Sequence, residues 1–175
     1  MRNPWWLVLV CVAFATPALA ASTWSLLKSG DGRYQILVPG TASVDNEGYD
    51  GDIKVHDMSF DLGTGGGIYR FKVADHPAGY GDERPKGERL QELQDKLIAG
   101  TPGARLLNAK TVTQGTWQGR AFSFNTDGGK LVHQARLYLV GDRVYLIDAA
   151  SPAGAGAKAS ASVVKFVSSF KILKK

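Results

Sequence analysis

Cysteine is almost absent from this chain of 175 residues, since the only one is Cys11. Residues 21–175 contain no thiol, which excludes a disulfide scaffold, a thiolate metal site, a cysteine nucleophile and a redox CxxC pair from that part. They also lack an apolar run of the roughly 20 residues that a membrane-spanning helix needs. With about 155 residues and no linker, this part is long enough for one domain with its own hydrophobic core.

The first twenty residues have the features of a secretory signal peptide in the expected order. Arg2 gives the positive start, an apolar stretch too short to span a bilayer follows, and Ala18-Leu19-Ala20 is an A-x-A cleavage site. We therefore predict a cleaved signal peptide over residues 1–20 and a single domain over residues 21–175. Such a protein is periplasmic or secreted, and not membrane-spanning.

The excess of one sign of charge over the other is also small. The formal net charge is +5, and it falls to +4 without the signal peptide, which holds one basic and no acidic residue. The basic residues are spread singly, without the basic stripe and stacking aromatics of a nucleic-acid binder, so we expect no nucleic-acid partner. The one basic cluster is the tail, where Lys171, Lys174 and Lys175 could make a weak contact with an anionic membrane surface. The alternative is a solvated C-terminus.

Glycine, in contrast, is abundant, and it separates stretches that are rich in β-branched and aromatic residues. This pattern is typical of hairpins. Within the stretches apolar and polar residues alternate: Met58 and Phe60 share one face, and Asp57 and Ser59 the other, which predicts an antiparallel sheet with one wetter face. The predicted strands are residues 24–28, 33–38, 53–62, 68–74, 104–114, 116–125, 130–140 and 143–149.

Two helices interrupt the predicted strands. The first covers residues 85–99, and its outer face is expected to include Gln94. Its apolar stripe consists of Leu90, Leu93, Leu97 and Ile98. The second helix is predicted to open at Ser151-Pro152, an N-cap followed by a proline in the first turn. Because both helices need a sheet to cover, the fold class is α+β, an antiparallel β-sheet flanked by helices in an α/β/α sandwich.

Three segments carry a family resemblance: GDGRYQILVPG at residues 30–40, TWQGRAFSFNTDGGKLVHQARLYLVGDRVYLIDAASP at residues 116–152, and VVKFVSSFKIL at residues 163–173. Together they resemble the PsbP-like superfamily, which also holds the periplasmic DcrB proteins and a eukaryotic Ran-binding relative. The resemblance implies an α/β/α sandwich and a protein that binds or stabilises partners rather than one that catalyses. Because the superfamily shares no catalytic motif, it transfers no functional residue to this chain.

Sequence motifs of the common enzyme classes are missing. The chain has no GxSxG elbow, no GxxxxGK phosphate loop, no GxGxxG after a strand and no HExxH. The glycine run at residues 63–67 lies between two predicted strands and is interpreted as a hairpin tip. His56 and His133 lie in predicted strands, where a lone histidine is usually a packed or surface residue. We therefore expect no catalytic activity.

The segment between the fourth predicted strand and the first helix is the best candidate for a binding site. It gathers one imidazole, three carboxylates and one aromatic ring: Asp75, His76, Tyr80, Asp82 and Glu83. Loops that display polar groups on a rigid sheet are where binding residues concentrate. Asp75, His76, Asp82 and Glu83 could also hold a divalent metal ion through nitrogen and oxygen ligands. The alternative is that Asp82 or Glu83 only complements the helix dipole.

Three functions remain open from the sequence. The preferred one is an exported, soluble binding or assembly module without catalytic activity, whose partner is an envelope protein. The second is a carrier of a small apolar ligand or lipid, with a pocket between sheet and helices. The aromatic residues that would line this pocket are Tyr69, Phe71, Phe122, Phe124, Tyr138 and Tyr145. The third is a metal-dependent hydrolase at residues 75–83. No cofactor is predicted apart from a weakly bound divalent metal there.

Overall fold

The computed structural model describes residues 23–62 and 67–173. The predicted signal peptide, most of the glycine run, Lys174 and Lys175 lie outside these ranges. The described chain forms ten strands, two helices and one turn of 3-10 helix at Asp127–Gly129. The strands and helices, in chain order, are β1 (Trp24–Lys28), β2 (Tyr34–Pro39), β3 (Val44–Asp50), β4 (Ile53–Asp61), β5 (Ile68–Asp75), α1 (Lys86–Gly100), β6 (Arg105–Gln114), β7 (Trp117–Thr126), β8 (Leu131–Val140), β9 (Arg143–Pro152), α2 (Ala157–Ser169) and β10 (Lys171–Ile172).

The strands form two antiparallel sheets. A seven-stranded sheet has the order β3-β4-β5-β9-β8-β7-β6, and a three-stranded sheet has the order β1-β2-β10. Helix α1 packs on β6, β7 and β8, whereas α2 packs on β8, β9 and β2. The α+β class, an antiparallel sheet flanked by helices, is therefore confirmed. Within the described ranges no helix is long and apolar enough to cross a membrane.

Alternation along the strands produces two cores, one on each face of the large sheet. On β9, Tyr145 and Ile147 face one way, and Val144 and Leu146 face the other. The α1-face core consists of Leu90, Phe122, Phe124, Ala135, Leu137, Leu139, Val144 and Leu146. The α2-face core consists of Tyr34, Ile36, Val38, Met58, Phe60, Tyr69, Phe71, Val73, Tyr138, Tyr145, Ile147, Ala149, Val163, Phe166, Val167 and Phe170. The predicted apolar faces of β4 and β5 are thus the buried ones.

Helix α1 is rotated from the orientation that its leucines predict. Leu90 is fully buried, but Leu93 and Leu97 are only half-buried. The expectation that Gln94 lies on the outer face is wrong, because its side chain is 1% exposed. The side-chain carbonyl of Gln94 accepts a hydrogen bond of 2.6 Å from Arg120 Nε on β7. This bond satisfies a buried polar oxygen at a position where the sequence pattern predicts an apolar residue.

Two further expectations about the elements need correction. Ser151-Pro152 does not open the second helix: both residues continue β9 and pair with β8, and α2 begins five residues later. Pairing along a long hairpin thus overrides the local N-cap signal. Strand β3 was not predicted, because all seven of its residues are exposed and its two apolar residues, Val44 and Tyr49, do not alternate with the polar ones. Lys171 lies exposed on the short β10, so membrane contact by the tail stays a prediction.

Candidate binding site at the 75–83 loop

The loop that joins β5 to α1 is organised around the ring of Tyr80. The His76 imidazole stacks on this ring, with the centroids 3.8 Å apart and the planes 9° from parallel. The Arg89 guanidinium lies 4.2 Å from the same centroid. Arg89 also donates a 2.7 Å hydrogen bond to Glu83 and a 3.2 Å bond to Glu92. A cation, a phenol ring and an imidazole therefore fix the loop against the first turns of the helix.

The other side of the loop is anchored to the β8–β9 turn. The His76 backbone N–H donates to the Asp142 carbonyl at 3.0 Å, and the Gly81 N–H donates to Asp142 Oδ1 at 2.9 Å. A Cβ atom on Gly81 would lie 2.1 Å from the Gly141 carbonyl oxygen. Only glycine allows this close approach of two backbones. The loop is therefore held at both sides by contacts that the neighbouring elements supply.

The electrostatic surroundings favour a neutral imidazole at His76. Burial lowers the pKa of His76 below its usual value, and the positive charge of Arg89 lowers it further. A neutral imidazole has one donor and one acceptor nitrogen, so it can pair with either type of group. Asp82 is exposed in the same loop. The loop thus presents neutral and acidic polar groups to solvent.

Asp75 does not belong to this loop surface. It lies on the α2 side of the sheet, where its carboxylate makes a two-pronged contact with Arg143, including a 2.8 Å bond from Nη2. Arg143 Nη1 also donates to Asp31 at 2.6 Å. We call Asp31, Asp75 and Arg143 the Arg143 cluster. It joins the β1–β2 turn to the ends of β5 and β9, and its hydrogen bonds raise the pKa of Arg143 further above its usual value.

The Arg143 cluster predicts an acid-dependent loss of stability. Burial alone would raise the pKa of Asp31, but hydrogen bonds from Arg143, Ser29 and the Arg33 backbone outweigh it and lower this pKa to about 2. A carboxyl whose pKa is lowered on folding stabilises the fold above its unfolded pKa of about 4, and this stabilisation is lost as the pH falls through the folded value. Because the side chain of Asp31 is 37% exposed, we expect a contribution of only about 0.5–1 kcal/mol.

The measurement is urea unfolding of the unsubstituted protein and of Asp31→Asn between pH 6 and pH 2. The difference in free energy of unfolding between the two should be constant above pH 5. It should shrink between pH 4 and pH 2, where the unsubstituted carboxyl is protonated. A difference that does not change across this range would refute the assignment of the low pKa to Asp31.

A cavity of about 380 Å³ opens beside the Arg143 cluster, between the β1–β2 turn and the strands β3, β4 and β5. Its apolar floor is formed by Tyr34, Met58 and Val73. Its rim is charged, because the Arg143 cluster, Lys28, Glu47, Lys54 and His56 surround the opening. Three of these rim groups are already paired, Lys54 with Glu47 at 2.5 Å and His56 with Asp45 at 2.6 Å. The cavity is therefore a polar cleft and not an enclosed apolar pocket.

The four residues that were considered as metal ligands do not converge. Asp75 contacts Arg143, Glu83 contacts Arg89, and His76 stacks on Tyr80. Among residues 23–62 and 67–173, no group of three or more His, Cys, Asp or Glu side chains is arranged to hold a metal ion. Any ion at this loop would therefore have to break existing ion pairs.

The aromatic residues that a carrier would use are packed in the two cores. Each of the six is at most 3% exposed: Tyr69, Phe71, Phe122, Phe124, Tyr138 and Tyr145. They contact other side chains of the cores; Tyr69, for example, meets Phe166 edge to face, with the centroids 5.3 Å apart. Tyr145 also borders a cavity, beside Arg33 and Arg143.

The remaining histidines hold their strands together through side-chain contacts. His56 pairs with Asp45 across β4 and β3. His133 lies between Asp148, 3.1 Å from Nδ1, and the Thr126 hydroxyl, 3.1 Å from Nε2, and its ring stacks on Phe124. Both positions agree with the interpretation of packed or surface histidines.

Sequence reasoning missed Arg143 and Asp31 altogether. Asp31 lies in a Gly-Asp-Gly turn, where it is explained by turn formation alone, and Arg143 begins a strand. Their bond spans 112 positions in the chain, and that of Arg143 with Asp75 spans 68. No local pattern reports contacts of this range. The buried Arg89 was missed for another reason, since it lies among the polar residues of a helix that was expected to expose them.

The order and packing of these elements define a PsbP-like fold, in which an antiparallel sheet carries a helix on each face. No protein-family model matches the chain, and a search of curated proteins finds no match. Among solved structures, the solution structure of cyanobacterial PsbP (CyanoP) from Synechocystis sp. PCC 6803 is similar, with a TM-score of 0.63 and 14% identity over 93% of this chain and 99% of that chain. At this identity the likeness shows the fold alone.

Two other solved structures match more distantly. A Pseudomonas aeruginosa protein, PA94, has a TM-score of 0.48 and 7% identity over 79% of this chain and 90% of that chain. The Saccharomyces cerevisiae Ran-binding protein Mog1p has a TM-score of 0.45 and 15% identity over 86% of this chain and 96% of that chain. The PsbP-like fold that the sequence resemblance implies is confirmed by the first of the three comparisons.

Proposed function

We propose that this protein is an exported binding or assembly module that acts by holding an envelope protein partner and not by catalysis. The observation that carries the proposal is the clamped loop at residues 75–83. It displays polar groups at one end of a packed sandwich, and it is fixed before any partner arrives. Loops of this kind on a rigid scaffold are the usual location of binding residues.

The rigidity of the loop matters for affinity. Binding normally costs about 0.5–1.5 kcal/mol for each flexible side chain that becomes immobile. Here the stack of His76 on Tyr80 and the ion pairs of Arg89 have already ordered these side chains. A partner that hydrogen-bonds to His76 and meets the exposed Asp82 with a donor or a basic group would therefore bind without that cost. The resemblance to PsbP-like proteins supports the same class of function.

The carrier and the hydrolase are supported less well. A carrier of an apolar ligand needs an enclosed apolar pocket, but the aromatic residues proposed to line it are packed, and the cavity of about 380 Å³ has a charged rim. A metal-dependent hydrolase needs ligands that converge, whereas Asp75 and Glu83 are bound to arginines on different elements. Neither alternative has a specific observation in its favour.

Export is a separate part of the proposal and has its own test. If the signal peptide is cleaved after Ala20, the protein isolated from the envelope fraction should begin at Ala21. Intact-mass measurement of that protein should give the mass of residues 21–175. Retention of residues 1–20 would contradict cleavage and would indicate an N-terminal anchor.

The binding function predicts that His76→Ala removes the partner and leaves the fold intact. The ring of His76 is half-buried against Tyr80 and belongs to neither core, so its loss should leave the melting temperature nearly unchanged. Residues 21–175 serve as the bait that captures the partner from the envelope. With His76→Ala in the bait, we expect the recovery of the partner to fall at least tenfold. The measurement is affinity capture with quantitative mass spectrometry, with thermal unfolding in parallel.

Lys158→Ala is the matched control, because Lys158 is exposed in the first turn of α2, on a different element. It should recover the partner fully. Full recovery with His76→Ala as well would contradict the assignment of the loop and would move the search to the sheet faces. Titration with zinc or manganese tests the metal alternative: a saturable heat that His76→Ala abolishes would show a metal site instead.

A further inference from the structure

The two edge strands of the seven-stranded sheet differ sharply in charge. β3 lies at one edge and β6 at the other. Residues 34–53, which include β3, contain four acidic and no basic residues, namely Asp45, Glu47, Asp50 and Asp52. β6 itself contains two basic and no acidic residues, namely Arg105 and Lys110. The sheet therefore has an acidic edge and a basic edge.

Both edges also expose apolar side chains. All residues of β3 are exposed, and so are most residues of β6. Tyr49 on β3 is 76% exposed, and Leu107 on β6 is 53% exposed. Val44 on β3 and Leu106 on β6 are exposed as well. Within the described ranges, β3 and β6 together hold most of the large exposed hydrophobic residues. An edge strand that only has to stay unpaired in solution does not need such residues.

Charge on an edge strand normally prevents pairing with another chain. Here the prevention is selective. Two β3 edges repel each other, and so do two β6 edges, but a β3 edge attracts a β6 edge. The pair of Glu47 with Lys54 neutralises part of the acidic edge. Asp50 and Asp52 add two further negative charges at the turn into β4, so the edge keeps a net negative charge.

The lengths of the two edges also agree. β3 has seven residues. β6 has a register shift between Leu106 and Asn108, and from Asn108 to Gln114 it runs in regular register for seven residues. Seven residues of antiparallel strand span about 24 Å. The bulge at Leu107 lies directly before this regular stretch, so the exposed leucine flanks the residues that match β3 in length.

We propose that β3 of one copy of this chain pairs with β6 of a second copy and extends the sheet across the two molecules. This inference goes beyond the proposed partner binding, because it uses strands at the two sides of the sheet and not the 75–83 loop. The contact is heterologous, since it joins two different surfaces. Each pair therefore keeps one free edge of each kind and can add further copies in a chain or a ring.

Two double variants test the pairing. The first, Tyr49→Lys with Asp50→Lys, cancels most of the negative charge of the β3 edge, removes its most exposed apolar side chain and leaves β6 intact. The second, Leu107→Glu with Lys110→Glu, makes the β6 edge acidic and leaves β3 intact. All four residues are exposed, so both variants should keep the melting temperature and the circular dichroism spectrum of the unsubstituted protein.

Sedimentation velocity of residues 21–175 over a range of concentrations gives the assembly state. The unsubstituted protein should associate as the concentration rises, and raising the salt from about 50 mM to about 500 mM should weaken this association roughly tenfold. Each double variant alone should be monomeric. An equimolar mixture of the two should form a dimer and nothing larger, because it contains one intact β3 edge and one intact β6 edge.

Lys158→Glu is the control for net charge. It changes the charge by two units on α2, away from both edges, and should associate as the unsubstituted protein does. The proposal is overturned if the unsubstituted protein is monomeric at every concentration and low salt, or if the mixture stays monomeric. It is also overturned if either double variant associates by itself, since that would show contact through like edges or another surface.

Discussion

Replacing Phe170 with alanine should lower the free energy of unfolding by about 3–5 kcal/mol. Phe170 follows the last turn of α2, is 1% exposed and lies at the centre of the α2-face core. The centroid of its ring lies 5.2 Å from the ring centroid of Tyr145, 5.6 Å from that of Phe71, 5.7 Å from that of Tyr138 and 6.3 Å from that of Tyr34. Alanine would leave a cavity that four rings on four different strands cannot fill together.

Val164→Ala is the control for this substitution. Val164 lies on the outer face of α2 and is 51% exposed, so its truncation should change the free energy of unfolding by less than about 0.5 kcal/mol. Urea unfolding followed by circular dichroism measures both variants. If Phe170→Ala unfolded at the same urea concentration as Val164→Ala, the central position of Phe170 would be wrong.

Replacing Leu90 with alanine should cost about 2–5 kcal/mol, because it removes the main contact of α1 with the sheet. Leu90 is 1% exposed and packs in the α1-face core with residues of β7, β8 and β9. Its neighbour Gln91 is exposed on the same helix, and Gln91→Ala should be nearly neutral. The leucine pattern predicts equal costs at Leu90 and Leu93, whereas the structure predicts a larger cost at Leu90, since Leu93 is only half-buried.

The two truncations can also be combined. Phe170 and Leu90 belong to cores on opposite faces of the large sheet, and substitutions at distant sites without shared partners usually add within about 0.3–0.5 kcal/mol. The double variant should therefore lose the sum of the two single effects. A clear departure from additivity would mean that the sheet transmits strain between its faces, or that the double variant no longer unfolds in one step.

Most of the fold could be predicted from the sequence because alternation reports burial directly. β5 buries alternate residues from Tyr69 to Val73, and β4 does so at Met58 and Phe60, so the buried faces of these strands were visible in the chain. β3 escaped because both of its faces are exposed, which removes the alternation. The orientation of α1 escaped because the buried Gln94 is compensated by hydrogen bonds with Asp95 and with Arg120, and the second of these depends on a residue of another element.

The candidate site was predictable in composition but not in arrangement. An imidazole, an aromatic ring and carboxylates in one short loop are visible in the sequence. The sequence does not show that these residues lie on two sides of the sheet. Asp75 turns to the α2 side, while His76 turns towards α1. The partners that divide them, Arg143 and Arg89, are long side chains that reach across elements. Their geometry exists only after the sheet and α1 have assembled.

The α2-face core combines early and late segments of the chain, so it can form only when the late segments have been synthesised. The Leu37 N–H on β2 donates to the hydroxyl of Ser169, 132 positions later, and β10 completes the small sheet only at residues 171–172. A ribosome that adds about 5–20 residues per second needs on the order of ten seconds to make the intervening chain. Throughout that interval β2 has its neighbour β1 but neither α2 nor β10, so this core closes only after residues 157–172 have been made.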